Sequence, residues 1–175
     1  EFVDFNNTNP NPDTLYWIGD SGNWQDCNNW SLSSGGSPSG FVPSLIDSVV
    51  FDDASFSGSS STVTVSGMAY CNGLRISTSK SKKPTIDLDK GLTIHGSLDV
   101  AGSVAFEGDE LFFVSSNSET IDLGENRIDD AREDLFFRGG GTYELRDSLS
   151  IEGAINIHEC DFSSGGNLIR TEYLS

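Results

Sequence analysis

The side chains best suited by type to do chemistry are carboxylates in short β-type segments. Thr85-Ile-Asp-Leu88, Thr120-Ile-Asp-Leu123 and Thr142-Tyr-Glu-Leu145 share a pattern with Thr62-Val-Thr-Val65. In a strand, successive side chains point to opposite faces. Burial of the second and fourth residues therefore turns Asp87, Asp122 and Glu144 outward. Stacked in one sheet, with strands about 4.8 Å apart, Asp122 and Glu144 would be like-charged neighbours, which costs energy unless a cation relieves it. Calcium takes several oxygens from such carboxylates. Asp87, Asp122 and Glu144 are thus the candidate calcium ligands, and calcium is the cofactor the pattern suggests. Paired carboxylates also serve glycoside hydrolysis, and a lyase would need a base besides. Arg75 is the cation at a strand centre, while Arg138 and Arg146 follow strands, and none joins a constellation. The plainer reading is a solvated acidic face.

Other reactive types are sparse. His95 and His158 are 63 residues apart, which does not fit the 57-residue repeat described below. His158, Glu159 and Cys160 lack the second spaced pair of a zinc site. Gly139-Gly-Gly141 has no following Lys or helix, so it reads as a tight corner rather than a phosphate loop. No Ser-His-Asp or Cys-His arrangement has a recognisable spacing, and the chain reads as non-catalytic. The three cysteines, Cys27, Cys71 and Cys160, allow one Cys27–Cys71 disulfide in an oxidising compartment, or three buried thiols. Trp17, Trp24 and Trp30 could line a sugar-binding face, but clustered tryptophans favour a core. Sequons stand at Asn6 and Asn29.

Those side chains need elements to position them, and the elements are strands. Apolar–polar–apolar triplets such as Leu74-Arg-Ile76, Leu92-Thr-Ile94 and Leu98-Asp-Val100 alternate with Gly, Ser, Asn and Asp. The best helical spacing, 126–135, is short enough to be one turn within a loop. Residues 85–100 align without a gap on 142–157, an offset of 57. Inward positions keep their character, as in Leu92/Leu149 and Leu98/Ile155, and Gly96 matches Gly153 at a corner. Shorter steps of 22–24 residues link Thr62 with Thr85, Thr120 with Thr142, and Leu111-Phe-Phe with Leu135-Phe-Phe. A coil of that length with three strands is the period of a parallel β-helix. The fold expected is all-β: a right-handed parallel β-helix with a Trp-rich N-terminal cap over residues 1–47 and rungs over 48–175. The rungs are expected to continue past 175 or to be covered by another chain. A β-sandwich is the alternative, disfavoured because Asn72-Gly73 is the lone two-residue hairpin signal.

With 10 Lys and Arg against 27 Asp and Glu, the net charge is −17. That argues against nucleic-acid or anionic-lipid partners, whose phosphates need neutralising. No apolar run reaches the ~20 residues that span a bilayer, so no direct membrane insertion is expected.

Tyr16-Trp-Ile-Gly-Asp-Ser-Gly-Asn-Trp24, Asn29-Trp-Ser31, Pro43 and Asp47-Ser-Val-Val-Phe-Asp52, followed by Thr62-Val-Thr-Val65 and Cys71, resemble a recurrent segment of large secreted surface proteins of Bacteroidota. Those are gliding-motility-associated, type IX-secreted, adhesin-like proteins. The resemblance implies an extracellular or cell-surface location and an adhesive or structural role without catalytic residues. Its expected partners are a surface glycan, another cell-surface protein, or a second copy stacking on the end of the β-helix. The alternative function is a carbohydrate-binding or polysaccharide-degrading β-helix with an acidic, calcium-binding face.

Overall fold

Apolar side chains at every second position force a chain of short strands to close around one interior, and the turns between them fix how. In the computed structural model, which describes residues 11–79, 81–124, 134–171 and the backbone of 173–174, the result is a parallel β-solenoid. The first turn carries β1 (Thr14–Trp17) and β2 (Gly22–Asn23), then a 3-10 turn at Cys27–Asn29 and β3 (Trp30–Ser31). Three complete turns follow: β4 (Ser48–Phe51), β5 (Thr62–Thr64) and β6 (Ala69–Cys71); β7 (Leu74–Ile76), β8 (Thr85–Leu88) and β9 (Leu92–Ile94); β10 (Leu98–Val100), β11 (Ala105–Gly108) and β12 (Leu111–Val114). Then come β13 (Ser118–Asp122) and β14 (Leu135–Arg138), followed by β15 (Thr142–Leu145), β16 (Leu149–Ser150) and β17 (Ala154–Ile157), and last β18 (Asp161–Ser163), β19 (Ile169–Arg170) and β20 (Tyr173–Leu174). The helical turn expected at 126–135 falls largely on residues outside those described.

Each of the three complete turns adds one strand to each of three faces. Sheet 1 runs β3-β1-β4-β7-β10-β13-β15-β18, sheet 2 runs β2-β5-β8-β11, and sheet 3 runs β6-β9-β12-β14-β17-β20; β16 and β19 form a separate pair. Among the described residues all strand pairings are parallel except β1 with β3. Parallel stacking excludes the sandwich, which needs antiparallel neighbours. In sheet 1, Val49, Leu74, Leu98, Ile121 and Leu145 stand in one inward row. The coil is therefore 23–25 residues long there.

The 57-residue match is real but does not superpose faces. β8 lies in sheet 2 and its counterpart β15 in sheet 1; β10 lies in sheet 1 and β17 in sheet 3. The match is two coils plus one face, because strand-corner-strand reads the same from whichever face it starts. Gly96 shows what a corner demands: a Cβ there would lie 2.7 Å from Asn72 O of the coil below.

Residues 14–23 already belong to the sheets, since β1 pairs with β4 and β2 with β5. The coil thus begins inside the stretch read as the cap. Aromatic rings fill the interior of this first coil. Trp17, Trp24 and Trp30 are fully buried. Trp30 meets Trp17 edge-on at 5.0 Å and Trp24 at 4.8 Å, and all three rings pack on Phe51. Buried indole N–H groups usually find acceptors, and two of these three do, Trp24 Nε1 having none among the described residues. Trp17 Nε1 donates to Asp20 O and Trp30 Nε1 to Trp24 O, at 3.0 and 2.8 Å.

Candidate functional site

The expected calcium set is dispersed by register. Asp87 sits in sheet 2 between Thr64 and Glu107. Asp122 and Glu144 lie on adjacent strands of sheet 1, but Glu144 faces Thr120 and Asp122 faces Asp99. The TIDL-like tetrads at 120 and 142 are offset by two residues in the pairing, so the two acids are not opposite each other. Arg146 lies 3.2 Å from Glu144, and Asp122 accepts from Gly124 N. Among the described residues, no three of His, Cys, Asp and Glu converge to hold a metal.

The cysteines are all free thiols. The Cys27–Cys71 bridge is therefore not formed: Cys71 points inward from β6 and Cys27 lies on the 3-10 turn of the first coil. Burial raises the pKa of Cys71 and of Cys160, which keeps both as thiols at neutral pH. The sequon at Asn29 is structural, because Asn29 Nδ2 donates to Asn23 O at 3.0 Å. Asn6 lies outside the described residues.

Asp20 is a clasp. It sits at φ 54°, a conformation that Asp tolerates better than most residues. Its carboxylate accepts from Ser57 Oγ, Ser61 Oγ and Ser57 N. Those hydrogen bonds, the hydroxyl of Ser57 first, hold its carboxyl below the usual range. Lys82 Nζ donates to Phe56 O at 2.6 Å and also to Asp53 O. The loop between β4 and β5 is thereby fixed to the first coil by Asp20 and to the loop between β7 and β8 by Lys82.

The outer faces differ in chemistry. On sheet 1, Tyr16, Val50, Arg75, Asp99 and Asp122 form one row. A shallow groove of about 440 Å3 lies over its first part, lined by Tyr16, Ser48, Arg75 and Asp99 among others. Its cation is already matched, with Arg75 Nε 3.5 Å from the Asp99 carboxylate.

Sheet 3 is different. Strands β6, β9, β12, β14 and β17 read AYC, LTI, LFFV, LFFR and AINI, with no carboxylate. Their outward row is Tyr70, Thr93, Phe112, Phe136 and Asn156. Phe112 and Phe136 stack at 4.9 Å with 17° between planes. The Arg138 guanidinium lies over both rings, 5.0 Å from Phe136 and 5.7 Å from Phe112. A cation over an aromatic face is attracted by the ring quadrupole. His95 and His158 follow β9 and β17, so they stand at the same edge of this sheet as Arg138. Their 63-residue separation spans three coils of unequal length, which a fixed offset cannot detect. The readable signal was Leu111-Phe-Phe and Leu135-Phe-Phe, whose middle residues had to face outward once their neighbours were inside.

Beneath Arg138 the backbone is anchored. The buried Tyr143 hydroxyl accepts from Ser115 N at 2.6 Å and donates to Arg138 O at 2.8 Å. Desolvation pushes its pKa up to about 12, so it remains a neutral donor. Gly139 turns the corner next to it at φ 101°, with Ser115 O 2.6 Å from where a Cβ would be.

Comparison of the chain with protein-family models, with curated proteins and with solved structures gave no match.

Proposed function

We propose that this chain is a non-catalytic contact module of an extracellular surface, a stiff solenoid that meets a glycan or another surface protein through its outer faces. The observation that carries the reading is the division between a filled interior and outer faces of different chemistry, acidic and ion-paired on sheet 1 and aromatic on sheet 3. Inward rows from Leu15 to Ile155 are packed with side chains, so the outer sheets and their corners are what can meet a ligand. The acidic charge and the Trp-rich segment resembling secreted surface proteins support an extracellular setting. The described carboxylates are divided among sheets and corners, several already engaged by Arg, Ser or backbone N–H groups, which favours contact over hydrolysis.

Two measurements test this. Protease treatment of intact cells that make the full protein should remove the segment; protection from protease would place it inside and sink the reading. A polysaccharide-turnover screen with the purified chain should give no products. Turnover of any polyuronate that a chelator abolishes would replace the contact module with an enzyme.

A further inference from the structure

Among the described cations, Arg138 is set apart by its seat on aromatic rings. Arg75 and Arg146 each lie against a carboxylate, and Lys82 is spent on backbone carbonyls. Arg138 has no carboxylate partner among the described residues, although the chain carries 27 acids. It is exposed and rests on the Phe112–Phe136 stack. The rings limit how it can move, and its N–H fork stays available to a planar anion. We propose that the outer face of sheet 3 binds a glycan carrying an isolated uronate, with the carboxylate on Arg138 and the apolar side of the sugar chain against Phe112 and Phe136. The proposal deepens the contact-module reading and rests on it.

Geometry selects this occupant over others. β9, β12, β14 and β17 are each paired on both sides. Beside Arg138 and the two rings a peptide therefore finds no free strand edge to extend, which is how sheets usually take peptides; the edges of sheet 3 are β6 and β20, each at least two strands away from β12 and β14. Five strands of about four residues give a face of roughly 19 by 13 Å. That is about 250 Å2, against the roughly 800 Å2 per partner of a stable protein interface. A second copy would also bring its own charge of −17. The face suits a short, extended ligand that supplies its own hydroxyls, with Thr93 on the same row to meet them. The net charge sets a further condition: a polymer with an acid on every unit is repelled, while one acid among neutral sugars is not.

The test is a titration of the intact chain, read by NMR, with three probes: xylotriose, xylotriose bearing one glucuronic acid, and an acidic tripeptide. The glucuronate sugar should bind with a Kd of about 1 mM and about tenfold tighter than xylotriose. Arg138→Gln should remove that preference with an unchanged melting temperature, Phe136→Ala should weaken both sugars, and Arg75→Gln should change neither. Equal affinity for the two sugars, an Arg138→Gln variant that keeps the preference, tighter binding of the tripeptide, or no binding at about 10 mM would each overturn the assignment. Those failures leave surface exposure and absence of turnover untouched, so they remove the site and not the contact-module reading.

Discussion

Two ladders of phenylalanine run along the same pair of strands, and they have opposite environments. Phe113 and Phe137 stack at 4.8 Å inside the solenoid and are almost wholly buried. One residue earlier, Phe112 and Phe136 stack at 4.9 Å outside it. Both stacks follow from one cause, the in-register parallel pairing of β12 with β14. The pairing delivers the geometry without regard to side. Inside, the rings fill a core that Tyr143 and Phe162 complete, at 5.2 and 4.8 Å from Phe137. Outside, no fold requirement asks for two aromatic residues with an arginine over them. The inner ladder is accounted for by folding; the outer one is where the proposed glycan contact rests.

Substitutions can break that contrast. The largest effect should come from Phe137→Ala, which empties a position that is 0% exposed; chemical denaturation should show a loss of about 3–5 kcal/mol. Tyr143→Phe keeps the ring but removes the hydroxyl between Ser115 N and Arg138 O. It should cost about 1–3 kcal/mol and loosen the corner that carries Arg138, seen as faster amide exchange at Ser115. Asp20→Asn, distant from both ladders, should cost about 1 kcal/mol. Because the folded-state pKa of Asp20 is lowered, its contribution is present above the ordinary aspartate value of 3.8 and fades as pH falls below it. Melting of the parent should therefore drop more steeply than that of Asp20→Asn over the same acid range. The smallest effect is expected from EDTA: with Asp87, Asp122 and Glu144 apart, the melting temperature should not move, and a fall would restore a calcium site.

Much of this was legible in the residues. The 24-residue step from Leu111-Phe-Phe to Leu135-Phe-Phe gave the true pairing, and alternation gave the inward rows. The face on which each strand lies was not legible, because corners vary in length and a fixed offset loses phase. That is why Asp87, Asp122 and Glu144 were grouped from their tetrads and fell into different sheets and registers, while His95 and His158 looked unrelated and share an edge. The acidic composition also drew attention to the carboxylates. A charge total says nothing about where charge is missing, and sheet 3 is defined by that lack.

The most direct test of the division between the ladders is to remove each one whole. Denaturation of Phe112→Ala/Phe136→Ala should show a loss below about 2 kcal/mol, the scale of a partly exposed stacked pair. Phe113→Ala/Phe137→Ala should lose at least twice that or fail to fold. Equal losses from the two double variants would contradict the account, because the outer ladder would then be as much a part of the fold as the inner one.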